Sequence, residues 1–86
     1  MDDDAIQARI DTLEQEEQHL RKEEEESAEA GRTDVVSKDA GRLGEIKVEL
    51  DQLWDLLRQR RALRRAGRNP DDAQLRDAET VERYLG

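Results

Sequence analysis

The sequence predicts an all-α protein: an antiparallel helical hairpin, coiled-coil-like, with a short C-terminal helical segment, dimerising into a four-helix arrangement. Three observations predict it. Large aliphatic residues recur at steps of three and four in two long stretches. A break that begins at Gly31 separates those stretches. Charged residues make up 44% of the 86 positions and hydrophobic ones 34%, the composition of long solvated helices closed along a narrow seam. This length gives a single domain over residues 1–86.

The first helix is expected over about 3–30. Ile6, Ile10, Leu13 and Leu20 follow steps of four, three and seven, a heptad seam. Asp2, Asp3 and Asp4 suit the positive end of a helix dipole, and one of them can cap. Glu17 and Glu24 then fall at core positions of the heptad, so the far end of this helix is expected to be wet. The connection is expected over about 31–37, with Gly31 as the C-terminal cap. Ser37 is the preferred N-cap of the next helix, and Thr33 or Asp34 the alternative.

The second helix is expected over about 38–66. Leu43, Ile46, Leu50, Leu53 and Leu57 make a continuous three-four stripe. Gly41 and Gly44 weaken its first turns by roughly 1 kcal/mol each relative to Ala. Gly67 and Asn69-Pro70 end it. In the tail, 67–86, a short helix is expected over about 78–85, with Val81, Tyr84 and Leu85 on one face. So short a helix needs a surface to dock on, either the hairpin or a neighbouring subunit.

Matching the stripes of an antiparallel pair puts Leu13 near Leu53, Ile10 near Leu57, Leu20 near Ile46, and Ile6 near Arg60 and Arg61. It also puts Glu17 beside Leu50, a local conflict. The apolar supply is lopsided: four large residues on the first helix face nine between Leu43 and Leu63. Trp54, Leu56 and Leu63 are left unmatched, which motivates the homodimer. The expected interface is Leu50, Leu53, Trp54, Leu57 and Leu63.

Cysteine is absent, so disulfides and thiolate metal sites are excluded. The start of the chain shows no secretory pattern and no apolar run reaches membrane-spanning length; the expectation is a cytoplasmic protein without membrane contact. A formal net charge of −8 disfavours nonspecific nucleic-acid binding. His19, the only histidine, sits on a polar helix with no nucleophile or orienting acid fixed beside it. Consecutive glutamates at Glu23 to Glu26 point in different directions around a helix, so they read as a solvated face. Glu16-x-x-His19 is half of a carboxylate-bridged metal pattern, and one copy is too little to make a site. No catalytic residue, cofactor or metal is expected.

Six arginines stand between Arg58 and Arg68. Arg58, Arg61 and Arg65 share one helix face, and Arg60 and Arg64 form a second row. Planar guanidiniums suit carboxylate and phosphate. Two readings follow: an anion or partner contact at Arg58, Arg61 and Arg65, or pairing with Asp2, Asp3, Asp4, Asp11, Asp71 and Asp72. Trp54 reads as a core or interface anchor.

The run Val48 to Gly67, followed by Asn69-Pro70-Asp71-Asp72, resembles the DUF2630 family of short actinobacterial proteins of unknown function. The segment Glu49 to Ala62 carries most of that resemblance, which Ile6 to Glu17 and Val81 to Leu85 extend over nearly the whole chain. Gly41 and Gly44 stand where helix-forming charged residues are expected. The resemblance implies a helical, cytoplasmic protein and brings no established activity. The expected function is therefore that of a small interaction or structural protein. It self-associates and presents an apolar-plus-Arg helix face to a protein partner. The alternative is an Arg-mediated binder of a phosphorylated small molecule or nucleic acid.

Overall fold

A computed structural model of the protein describes residues 1–85, and side chains through Arg83. The expected apolar face of the last helix therefore lies outside the described side chains at Tyr84 and Leu85. Two long helices, α1 (Asp3–Glu29) and α2 (Thr33–Arg65), pack against each other as a hairpin. A 3-10 turn, Pro70–Asp72, and a short helix α3, Ala78–Leu85, follow and lie on α2. The molecule is a rod, 55 × 25 × 15 Å.

Asp2 caps α1, its carboxylate accepting from the Ala5 amide at 2.8 Å. Gly31 takes φ 74°, a left-handed conformation that glycine adopts without Cβ strain. There the Gly31 amide donates to Ala28 O and the Arg32 amide to Ser27 O, a Schellman closure. Gly67, at φ 71°, ends α2 in the same way, with Gly67 donating to Arg64 O and Arg68 to Leu63 O.

The expected start of α2 is corrected. The helix begins at Thr33, not near residue 38, and neither Ser37, Thr33 nor Asp34 caps it. Arg32 is the N-cap, and it contributes only its carbonyl, which accepts from Val36. The Schellman turn reverses the chain within about three residues, and nothing between 33 and 37 breaks a helix, so the helix runs back to the turn. The shorter connection shifts the register. Glu49, next to Leu50, pairs with Arg9 at 2.9 Å instead of lying near Glu17. Seven residues away on each helix, Arg42 pairs with Glu16 at 2.6 Å. Glu17 is half-buried and paired within its own helix to Arg21 at 3.7 Å.

The core lies in the half of the hairpin away from the turn. Ile6, Ile10, Leu13, Ile46, Leu53, Leu56 and Leu57 form one buried cluster, with Leu20, Leu50 and Ala73 packed against it. Leu56, expected to be unmatched, is covered within the chain. The tail is stapled to α2 by polar contacts. Gln59 donates to Gln74 O at 2.8 Å and accepts from the Gln74 amide at 3.3 Å; Gln52 donates to Arg76 O at 3.2 Å. Val81 of α3 is fully buried. The tail thus docks on the hairpin.

Candidate functional site

Which face of α2 is left open follows from what covers the others. Ile46, Leu53, Leu57 and Arg60 face α1, while Gln52, Asp55 and Gln59 face the tail. At about 100° per residue, Trp54, Arg58, Arg61 and Arg65 fall on the remaining strip, each within roughly 40° of the Trp54 direction. Trp54 keeps 37% of its surface exposed, and the three arginines are exposed as well.

The other residues of the expected interface sit deeper. Leu53 and Leu57 are buried in the hairpin's own core, Leu50 packs against that core, and Leu63 is half-buried. Of the five, Trp54 is the one on the open surface.

The two arginine rows have different surroundings. Arg60 is buried; its Nε donates to Asp3 Oδ1 at 2.5 Å, and its Nη1 reaches Asp71 Oδ1 at 3.0 Å and Pro70 O at 3.2 Å. Arg64 meets the same Asp3 oxygen at 2.6 Å. Hydrogen bonds from Arg64 first and then Arg60 hold the Asp3 carboxyl down at about 2, because both favour its charged form. Asp3 and Asp71 in turn raise the Arg60 guanidinium. This row ties the start of α1, the end of α2 and the 3-10 turn together, as the ion-pair reading expects.

Arg58, Arg61 and Arg65 instead line a groove of about 710 Å³ beside the tail, together with Arg76, Gln59 and Asp55. Asp55 is the residue that sequence reasoning missed. It is 3% exposed, accepts from Gln59 Nε2 at 2.9 Å, and pairs with Arg76 Nε at 3.3 Å and Arg58 Nη2 at 3.8 Å. The signal for it was present: an aspartate inside the apolar run Leu53-Trp54-Asp55-Leu56-Leu57 must be partnered if buried. Arg61 and Arg65 have no carboxylate within 4 Å among the described residues.

A second cleft, about 510 Å³, opens between α1 and the tail over Leu53, Leu56, Ala73 and Leu75. Its guanidiniums are occupied, Arg9 by Glu49 and Arg60 by Asp3 and Asp71. His19 is exposed and 3.8 Å from Glu23, one turn along. Among the described residues no group of three potential ligands is placed to hold a metal, and no helix is long and apolar enough to cross a membrane.

Fold and site together define a small helical-hairpin protein with a tryptophan-and-arginine strip along its longer helix. The chain belongs to the DUF2630 family, described as proteins of unknown function, whose model matches residues 2–86. Over 50 residues it is 54% identical to the uncharacterized proteins Rv0898c of Mycobacterium tuberculosis and Mb0922c of Mycobacterium bovis. The matched stretch covers 58% of this chain and 58% of each relative. No solved structure matches. Neither the family description nor the relatives' names attach an enzymatic activity.

Proposed function

We propose that this chain is a non-enzymatic, cytoplasmic interaction protein that self-associates and docks its open α2 strip on a protein partner. The observation that carries this reading is an exposed Trp54 beside Arg61 and Arg65, which lack acid partners among the described residues although the chain is strongly acidic. Tryptophan and arginine are the side chains most enriched at binding hot spots. Small helical hairpins commonly complete their cores by oligomerising. Leu50, half-buried at the edge of the strip, adds apolar area to such a contact, while Leu53 and Leu57 support it from beneath.

Sedimentation from micromolar to millimolar concentration tests the minimal version. Reversible dimerisation that Trp54→Ala weakens, with the helical circular dichroism signal unchanged, is the expected result. A monomer throughout that range rules out self-association.

The groove around Asp55 favours a second reading, an Arg-mediated binder of a phosphorylated ligand. Among the described residues Arg58, Arg61, Arg65 and Arg76 line it, with Asp55 as the carboxylate beside them.

A further inference from the structure

Building on that second reading, we propose that Arg58, Arg61 and Arg65 of α2, with Arg76 of the returning tail, form a cradle for two linked phosphoryl groups. Pyrophosphate and the polyphosphate chain of a nucleotide share this chemistry.

Three features of the groove support the proposal. The first is charge. Acidic residues outnumber basic ones 23 to 15 in this chain, yet Arg61 and Arg65, with no carboxylate within 4 Å among the described residues, share one groove with Arg58 and Arg76. The dipole at the C-terminal end of α2 accounts for cations in its last turn, where Arg65 stands. It does not account for Arg58 and Arg61, which lie before that turn.

The second is spacing. Arg58 and Arg65 are two turns apart, roughly 10 Å along the helix. A pair of phosphoryl groups bridged by oxygen spans more of this row than one phosphate does, and so meets more guanidiniums at once. Arginine's planar fork matches phosphate oxygens better than a lysine point charge does.

The third is how the site is built. The groove does not consist of loose surface side chains alone. Buried Asp55 anchors Arg58 and Arg76 from beneath, and Gln59 clamps the tail at Gln74, two residues before Arg76. The tail therefore supplies one wall. A ligand that touches both walls binds the docked tail better than the open one, so ligand and tail must stabilise each other.

Calorimetry of the full chain at low salt, with pyrophosphate, tripolyphosphate, ATP and orthophosphate, tests the cradle. Trp54, one turn from Arg58, supplies a fluorescence signal. Pyrophosphate, tripolyphosphate and ATP are expected to bind one per chain, and orthophosphate about tenfold or more weaker, because it meets fewer guanidiniums. The pair Arg61→Glu and Arg65→Glu, both exposed and outside the core, should abolish binding while the fold persists. Pyrophosphate should slow proteolysis of residues 67–77, and Arg76→Ala should remove that protection.

No saturable binding of any phosphoryl compound overturns both the cradle and the second reading. Binding that the Arg61/Arg65 variant loses, but with no protection of the tail and no response to Arg76→Ala, keeps the anion reading and overturns the cradle. ATP binding without pyrophosphate binding would make the base the determinant and overturns the cradle too. Binding of single-stranded oligonucleotides with none of pyrophosphate overturns it in favour of a nucleic-acid backbone.

Discussion

The two halves of the hairpin are built differently. Away from the turn, α1 and α2 close over a continuous aliphatic cluster from Ile6 to Leu57, sealed at its end by Asp3, Arg60, Arg64 and Asp71. Near the turn the same heptad positions carry Glu17, Glu24 and Ser27 on α1 and Asp39 on α2. Ser27 and Asp39 are both 4% exposed, and the Asp39 Oδ2 has no hydrogen-bond partner among the described residues. Gly41 and Gly44 lower helix propensity in that half as well. One hairpin thus has a half fixed by burial and a half held by α-helical hydrogen bonds and the Glu16–Arg42 pair. The tail docks on the first of these and extends it. The arginine groove lies there too, so the candidate site stands on the stable half.

The contrast is broken most directly by emptying the core. Ile10 and Leu13 are fully buried, so Ile10→Ala or Leu13→Ala should cost about 2–5 kcal/mol, as core truncations do. Leu20→Ala, at a half-buried site toward the turn, should cost less than half as much. Urea unfolding followed by circular dichroism measures both. Equal losses at the two places would mean that the halves are equally well packed.

Acid attacks the same half through its charges. The Asp3 carboxyl titrates at about 2 in the folded chain, against an ordinary value of 3.8. Its ionised form therefore stabilises the fold. That contribution is complete above the ordinary value and disappears as pH falls through about 2. Arg42 lowers Glu16, and the Thr80 amide lowers Asp77, so both add in the same direction. Melting temperature should fall between pH 4 and 2, and Asp3→Asn should flatten that part of the profile. An unchanged profile in Asp3→Asn would remove the Asp3–Arg60–Arg64 cluster from the account.

The contrast also explains what could be read from the sequence. The stripes of Ile6, Ile10 and Leu13 and of Ile46, Leu53 and Leu57 were legible because burial imposes a helical period on residue choice. Gly31 and Gly67 were legible as caps for the left-handed turn they permit. The division of the arginines into two rows followed from helix geometry alone. The start of α2 was hidden because Arg32 caps with its backbone and leaves no side-chain signature. The register followed that error, since it depends on the length of the connection. Leu56's cover and Asp55's tail partner were hidden for another reason: the tail makes that environment, and nothing local in α2 says where residues 70–81 return. Trp54 remained exposed because neither α1 nor the tail reaches that side.

The last test replaces the weak half's own defect. Asp39 lies four residues before Leu43 on the seam stripe of α2, where an aliphatic side chain would continue the core. A buried oxygen without a partner forfeits its hydration and receives nothing in return, at about 1–3 kcal/mol. Asp39→Leu keeps the branched side-chain skeleton, with bulkier methyl tips, and removes that loss, so it should raise stability by about 1 kcal/mol after imperfect packing is counted. The gain should appear locally first. Amide exchange in residues 20–29 and 33–43 should slow more than in residues 50–60, because the near-turn segment opens on its own before the molecule unfolds. If Asp39→Leu destabilised the chain, the buried carboxylate would have to be satisfied by a partner outside this hairpin, and the near-turn half would be a contact surface awaiting it.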